Sequence, residues 1–292
     1  MPWLQVSIAT TKDAYTAIEE TLWSLGAHSV TLVDADDKPI LEPAPGETPM
    51  WNHAVITGLF DDRLQPSILR EQIIQQLDSD QLTIEVTPLE DQDWTRAWMD
   101  AFQPMQFGER LWVCPLHLEP PDSNAVNLRL DPGLAFGTGT HPTTSLCLSW
   151  LDANLNHKNI LDYGCGSGIL AIAALLLGAE HADCVDIDFQ ALQATRDNAQ
   201  VNDVLDHIDT CKPEKLPADA GYDLVLANIL SGPLTELAPI LARHVLPGGD
   251  IVLSGILNEQ AESVREAYSQ FFDMTTTREL DDWVLLHGHK PE

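Results

Sequence analysis

The amino-acid sequence predicts an α/β protein with two parts, a small α+β domain followed by a larger domain built on a parallel sheet. Three observations predict this class. Residues 1–90 carry strand and helix patterns in the order strand, helix, strand, strand, helix, strand. From residue 160 onward, short apolar strands alternate with helices, which is typical of a parallel sheet covered on both faces. A glycine-rich turn at residues 164–168 joins one of these strands to the next helix.

The first domain shows both the alternation of apolar residues that is typical of strands and the apolar spacing that is typical of helices. Alternating apolar residues mark the first and the last strand along the chain: Leu4, Val6, Ile8 in the first and Leu82, Ile84, Val86 in the last. Apolar residues at helical spacing mark its helices: Ile18, Leu22, Leu25 and Leu69, Ile73, Leu77. Middle strands are predicted at 29–34 and 54–60. This βαββαβ order is the ferredoxin-like pattern, so residues 1–90 are predicted to form one ferredoxin-like domain.

Residues 91–115 are predicted to link the two domains. Apolar and aromatic side chains crowd the segment 91–110, namely Trp94, Trp98, Met99 and Phe102. They suit a helical connector packed between domains, and an interface core is favoured over a ligand cage.

The second domain is predicted to span residues 116–292. Its parallel strands are expected at 160–163, 184–186, 223–228 and 251–254, and its helices near 168–178, 189–201, 232–244 and 258–271. Two further strand-like segments, 274–278 and 283–287, have no helix between them. They must therefore pair as a hairpin, which gives the sheet an antiparallel edge.

The charge of the chain limits its partners. Its 292 residues contain 45 Asp and Glu against 15 Lys and Arg, a net charge of −30. Binding to nucleic acid requires basic side chains that neutralise phosphates, so direct contact with nucleic acid is not expected. A basic protein would be attracted by this field, although a negative surface that only maintains solubility is the favoured explanation of the charge.

The compartment is inferred from cysteines and from segments that the sequence lacks. Five scattered cysteines fit a reducing compartment better than a disulfide framework. No apolar run approaches the roughly 20 residues that span a bilayer, and the first residues do not resemble a signal peptide. We therefore expect a cytoplasmic protein that does not contact membranes.

The glycine turn has the pattern G-x-G-x-G at Gly164, Gly166 and Gly168. The dinucleotide fingerprint G-x-G-x-x-G requires glycine at position 169, where this chain has Ile169. Asp162 stands two residues before the first glycine. A carboxylate there would repel a pyrophosphate and would suit a cationic ligand.

The next strand ends at Asp186, where an acidic residue can accept hydrogen bonds from both hydroxyls of a ribose. No Arg stands nearby to pair with a 2′-phosphate. The alternative is that Asp186 and Asp188 form a solvated turn before a helix that Asp188 caps. We favour the capping role for Asp188 and the ribose role for Asp186.

With these residues, the second domain resembles the class I S-adenosylmethionine (AdoMet)-dependent methyltransferases. That family places a polar residue at the end of the fourth strand, where this chain has Asn228. Residues 246–249, Leu-Pro-Gly-Gly, then turn into the fifth strand. The resemblance implies a Rossmann-like, seven-stranded sheet with an antiparallel edge. Ile229 and Leu230 follow Asn228 instead of Pro-Pro-aromatic, which argues against nucleobase and glutamine acceptors.

Two segments, 130–144 and 227–230, together with the first domain, resemble the PrmA family over essentially the whole chain. This family methylates large-subunit ribosomal protein eleven. The resemblance implies methyl transfer from AdoMet to lysine side-chain and N-terminal amines, a substrate-gripping first domain and a monomeric enzyme. Its cofactor contacts correspond to Thr143, Gly164, Asp186 and Asn228, and Asn228 is the candidate catalytic residue.

The loop before the glycine turn also contributes candidates. Phe136 stands among glycines that would let it cover a ligand, and Gly166 lies within the turn itself. Thr143 could instead cap a helix starting near it, a role compatible with cofactor contact. His141 is the nearest candidate general base, although a structural role is favoured. The cysteines and histidines form no recognisable metal site.

Three other functions compete with this interpretation. An NAD-dependent oxidoreductase is disfavoured by Ile169. A small-molecule AdoMet-dependent methyltransferase with an N-terminal sensor domain is the stronger enzymatic alternative. A non-catalytic module that binds AdoMet or its partner without turnover is disfavoured by the intact glycine turn and Asp186.

Overall fold

The structure is a computed structural model of the 292-residue chain. It describes residues 3–36, 50–78, 82–89, 102–131, 139–156 and 158–292. The chain divides into two compact units, Met1–Trp94 and Thr95–Glu292. Trp94, Trp98 and Met99 of the predicted aromatic connector lie outside the described residues.

The first unit is a four-stranded antiparallel sheet with two helices. Its elements are β1 (Trp3–Thr11), α1 (Tyr15–Ser24), β2 (Ser29–Asp34), β3 (His53–Asp61), α2 (Pro66–Leu77) and β4 (Ile84–Leu89). The strands lie in the order β2-β3-β1-β4, and every neighbouring pair is antiparallel. The predicted order of elements and the α+β class are therefore confirmed.

The apolar residues that the sequence patterns assigned to the core of this unit are buried or partly buried in the structure. Leu4, Val6 and Ile8 point to one side of β1 and are buried. The helices contribute Leu22 and Ile73, which are fully buried against them. Burial of such side chains contributes about 1.5–3 kcal/mol each to folding.

The second unit contains the larger sheet and its covering helices. Its elements are β5 (Met105–Phe107), β6 (Leu111–Cys114), β7 (Val126–Arg129), α3 (Pro142–Asn154), β8 (Asn159–Tyr163), α4 (Ile169–Leu177), β9 (His181–Val185), α5 (Phe189–Val201), β10 (Ile208–Cys211), β11 (Tyr222–Asn228), α6 (Ser231–His244), β12 (Val245–Leu257), α7 (Ala261–Ser269), β13 (Asp273–Leu280) and β14 (Trp283–His289).

In the described part of the chain, the large sheet has seven strands in the order β10-β9-β8-β11-β12-β14-β13. The five strands from β10 to β12 are parallel, and β14 and β13 are antiparallel. This arrangement confirms the predicted α/β class with an antiparallel hairpin at one edge. A separate three-stranded sheet has the order β5-β6-β7.

Both faces of the large sheet are covered by helices. On one face α3, α4 and α5 pack side chains such as Leu148, Ile172 and Leu192 against the strands. On the other face α6 and α7 contribute Leu241 and Tyr268. Central strands are buried on both sides, and for this reason they read as continuous apolar runs in the sequence.

Two elements of this unit differ from the sequence-based prediction. Strand β10 was not predicted, because its four residues, Ile-Asp-Thr-Cys, give too short a pattern to distinguish from a loop. Strand β12 begins at Val245, earlier than the predicted residue 251, since the Pro-Gly-Gly segment is included in the extended chain. None of the described helices is long and apolar enough to cross a bilayer.

The strand order fixes where a ligand can bind. From β8 the chain crosses by α4 to β9 on one side, whereas β11 lies on the other side of β8. The connections leaving β8 and β11 therefore diverge and open a crevice at the carboxyl ends of these strands.

Candidate active site

The glycine turn lies at this crevice and has a conformation that requires glycine. Gly164, Gly166 and Gly168 have φ angles of 81°, 55° and 77°, in the left-handed region. A Cβ on Gly164 would lie 2.3 Å from Ile229 Cγ2, and one on Gly168 would lie 2.7 Å from Thr195 Cγ2. Both the backbone conformation and the available space therefore exclude a side chain.

Hydrogen bonds tie the turn to the end of β9. The backbone N–H groups of Gly164 and Cys165 donate to Val185 O at 2.7 and 3.1 Å. The N–H of Gly166 donates to Asp186 Oδ2 at 3.0 Å. These bonds fix the position of the turn relative to Asp186.

A cavity of about 550 Å³ lies beside the turn, within the size range of small-molecule sites. Its wall is mostly apolar and consists of Thr144, Tyr163, Gly164, Cys165, Gly166, Ile169, Leu170, Val185, Asp186, Ile187, Pro213, Asn228, Ile229, Leu230, Pro233 and Leu237. Four predicted site residues, Gly164, Gly166, Asp186 and Asn228, are therefore brought together in one wall.

Asp186 is held by backbone donors on both of its oxygens. Besides the Gly166 N–H on Oδ2, the N–H of Asp188 donates to Oδ1 at 2.9 Å. A carboxylate oxygen has a second lone pair, so each oxygen can still accept one hydroxyl. Asp188 instead accepts the Gln190 N–H at 2.9 Å and caps α5, as predicted.

Asp162, on β8, lies beneath the turn and is buried. Its Oδ2 accepts the N–H of Ala171 at 3.2 Å, in the first turn of α4. Burial raises the pKa of Asp162 to about 7, the bond from Ala171 opposes that rise, and the charge of Asp186 adds to it. The carboxyl group does not line the described cavity wall, so it offers no direct contact to a cationic ligand there.

Asn228 lies at the carboxyl end of β11, and its Nδ2 donates to Thr144 Oγ1 at 3.4 Å. Thr144, which the sequence analysis did not single out, lines the cavity, whereas Thr143 is buried behind it. Thr143 still lies at the start of α3, next to the cavity wall. Phe136 is outside the described residues.

Helix α3 is capped by His141 and not by Thr143. The helix begins at Pro142, and His141 Nδ1 accepts the N–H of Thr143 at 3.3 Å. The ring of His141 also contacts Trp283 edge-to-face, with centroids 5.0 Å apart. Burial lowers the pKa of His141. These contacts give His141 a structural role and correct the expectation that Thr143 caps the helix.

Exposed apolar side chains at the cavity are residues that the sequence analysis missed. Ile187 is 80% exposed and Leu230 is 51% exposed, although both are large and hydrophobic. The available signal was Ile187 standing between Asp186 and Asp188, where a polar turn residue is usual. An apolar surface here suits the flat face of a heterocyclic base.

Among the described residues, one group could hold a metal ion by proximity: His181, Asp183 and Asp209. His181 Nε2 lies 3.5 and 3.6 Å from the two carboxylates. These residues lie near the amino ends of β9 and β10, whereas the cavity lies at the carboxyl ends of the strands. All five cysteines are free thiols.

Comparison with known proteins identifies the relatives of the chain. A family model described as ribosomal protein L11 methyltransferase (PrmA) matches residues 2–291. A protein of that name from Hahella chejuensis is 51% identical over 294 residues, covering 99% of each chain. Its namesake from Shewanella halifaxensis is 50% identical over 291 residues, with the same coverage.

A solved structure is also similar. The crystal structure of a ribosomal protein L11 methylase from Lactobacillus delbrueckii subsp. bulgaricus is 31% identical, with a TM-score of 0.60. The match covers 65% of this chain and 100% of that one.

The buried carboxyl group of Asp162 predicts a pH-dependent cost to stability. Its pKa of about 7 in the folded state is above the usual value near 3.8, so the folded state binds the proton more tightly than the unfolded state. The stability contributed by this group is therefore greatest at acid pH and falls as the pH rises from about 4 to 7.

We expect Asp162→Asn to gain stability relative to the wild type as the pH rises from 5.5 to 8. The relative gain should be about 1–3 kcal/mol, measured by urea unfolding at both pH values. A substitution of the exposed Asp219 serves as control and should show no such trend. A difference between wild type and Asp162→Asn that is equal at both pH values would contradict the assigned pKa.

Proposed function

The chain belongs to the ribosomal protein L11 methyltransferase (PrmA) family, and we propose that it transfers methyl groups from AdoMet to amines of ribosomal protein L11. The acceptors in this proposal are lysine side chains and the N-terminal amine. The observation that carries the proposal is the convergence of Gly164, Gly166, Asp186 and Asn228 on one cavity at the switch point of the sheet.

The cavity fits AdoMet in its chemistry. The backbone of Gly164 and Gly166 can approach the ligand closely because neither residue carries a side chain. Asp186 offers one acceptor to each ribose hydroxyl, and no Lys or Arg lines the described wall to bind a phosphate. Ile187, next to Asp186, offers an apolar contact to the adenine ring. In this proposal Phe136 completes the cofactor contacts, and Thr143, which does not line the described wall, supports them from the start of α3 beside Thr144.

Asn228 is proposed to orient the acceptor amine. Since its Nδ2 donates to Thr144, its Oδ1 is the atom that can accept a hydrogen bond from the amine. AdoMet supplies a methyl group that its sulfonium already activates. The main task of the protein is therefore to hold the amine in line with that methyl group.

The acceptor must also lose a proton before it can attack. An unperturbed lysine has a pKa near 10.4, so very little of it is neutral at pH 7. Burial of the amine against the apolar wall would lower its pKa, because the charged form loses its hydration. No residue of the described wall is a histidine, so in this proposal the amine gives its proton to water, and burial favours the neutral form that remains.

The charge and the first unit support a protein substrate. A net charge of −30 favours a basic partner, and the proposal includes no direct contact with nucleic acid. We assign substrate recognition to a first domain of residues 1–90, the linker to 91–115 and catalysis to 116–292. The enzyme acts as a monomer in this proposal. Because its substrate belongs to the ribosome, we assign the reaction to the cytoplasm.

The proposed reaction can be tested by intact mass spectrometry of purified L11. Incubation with the protein and AdoMet should raise the mass of L11 in methyl-sized steps, and peptide mapping would locate the modified amines. Reactions without AdoMet serve as controls. An unchanged mass, together with AdoMet binding shown by calorimetry, would contradict the substrate assignment while leaving the cofactor assignment intact.

Asp186→Ala should weaken AdoMet binding by about 10- to 100-fold, because two hydrogen bonds to a charged acceptor are lost. Isothermal titration calorimetry measures this effect. Asp188→Ala is the matched control, since Asp188 caps α5 and its N–H to Asp186 is retained. Equal AdoMet affinity in the wild type and Asp186→Ala would show that the ribose assignment is wrong.

Asn228→Ala should reduce kcat by at least about tenfold, while the Kd for AdoMet changes by less than about threefold. The reason is that an orienting bond to the acceptor matters during transfer more than in the cofactor complex. Radiolabelled AdoMet measures turnover and calorimetry measures Kd. Asn159→Ala, at the opposite end of β8, is the control. Equal losses in kcat and in affinity would exclude the orienting role.

A further inference from the structure

The segment that follows Asn228 contacts two glycines, one in the glycine turn after β8 and one in β12. Asn228 is in register with Ser254 in the parallel pair of β11 and β12, and it ends β11. The next residue, Ile229, lies against Gly255 of β12 and against Gly164 of the glycine turn.

Gly255 permits a close approach of two backbones. Its φ angle is 82°, in the left-handed region. A Cβ at this position would lie 2.2 Å from Ile229 O and 2.7 Å from Ile229 C. Both are backbone atoms, so no side-chain rotation can relieve the overlap. A side chain at position 255 would therefore displace the segment that follows Asn228.

The contact with Gly164 involves the side chain of the same residue. A Cβ on Gly164 would lie 2.3 Å from Ile229 Cγ2, whereas the next atom, Ile229 Cβ, is 3.8 Å away. The carbonyl group of Ile229 therefore packs against Gly255, and its Cγ2 methyl group packs against Gly164. This pair of contacts links the segment after Asn228 to both β12 and the glycine turn.

Gly255 lies in an irregularity of β12 that also reaches α3. The pairing of β12 with β14 shifts register between Leu253 and Ile256. Ser254, in this interruption, is fully buried, and its Oγ lies 3.3 Å from the Thr143 carbonyl oxygen. The same two residues of β12 therefore contact both segments that carry proposed site residues, the end of β11 and the start of α3.

We propose that Gly255 is a positioning residue for methyl transfer. It allows the backbone of Ile229 to pack closely against β12, and this holds Asn228 so that it faces the acceptor amine. This inference rests on the proposed function of Asn228. Asp186 and the glycine turn are held by their own hydrogen bonds to β9 and each other, so displacement of the 228–230 segment would impair transfer more than cofactor binding.

The test compares Gly255→Ala with Gly248→Ala in the full-length protein. Gly248 is on the same strand and has a φ angle of 74°, but a Cβ there would meet only Glu292 Cγ, at 4.0 Å. Both variants thus carry similar backbone strain, and only one overlaps Ile229. We expect Gly255→Ala to reduce kcat at least about tenfold with less than about threefold change in AdoMet Kd, and Gly248→Ala to change neither.

A double-mutant cycle with Asn228→Ala separates positioning from a general loss of structure. If Gly255 acts through Asn228, Gly255→Ala should lower kcat in the wild-type background but cause little further loss in Asn228→Ala. An equal loss in both backgrounds would overturn the proposal. So would unchanged kcat in Gly255→Ala, or a loss of the same size in Gly248→Ala.

A second variant keeps the proposal testable if Gly255→Ala does not fold. Ile229→Ala adds no volume and removes the side-chain contact with Gly164. It should also lower kcat in the wild-type background and have little effect in Asn228→Ala, and equal effects in both would overturn the proposal. The proposed function is judged separately, by whether the wild-type protein methylates L11 and binds AdoMet.

Discussion

The fit of Ile229 against the bare backbone of Gly164 is the contact on which the site depends. The two residues stand at the carboxyl ends of β11 and β8, where the connections of the sheet diverge. The same divergence opens the cavity, and the contact between Gly164 and Ile229 lies on its wall. Glycine at position 164 allows that contact, and the strand order determines where it occurs.

The site contains two carboxyl groups, those of Asp186 and Asp162, and their surroundings differ. Asp186 faces the cavity, accepts two backbone N–H groups and keeps acceptor capacity for a ligand. Asp162 is fully enclosed and bonds to the first turn of α4, so its pKa is raised by burial. Asp186 is therefore accessible to a ligand, whereas Asp162 is hydrogen-bonded to the helix that follows the glycine turn.

Much of the fold could be predicted because it depends on local periods. Leu4, Val6 and Ile8 alternate and are buried as expected, and the apolar strands of the second unit lie within the sheet. The prediction from sequence was incomplete where a hydrophobic pattern was short, or where contacts with distant residues determined the local structure. Strand β10 exists because its residues pair with β9, and His141 caps α3 although histidine is not a typical capping residue.

For the site itself, the sequence alone indicated the glycine spacing, the acid that follows β9 and the asparagine that ends β11. These are local signals, since each depends on the residue and its position in one strand or turn. Three further features are visible only in the folded protein: Thr144 and not Thr143 lines the cavity, Asp162 is buried, and Gly255 lies against Ile229. Those facts depend on which strands become neighbours and in what register, and nonlocal packing is not encoded in the period of any single segment.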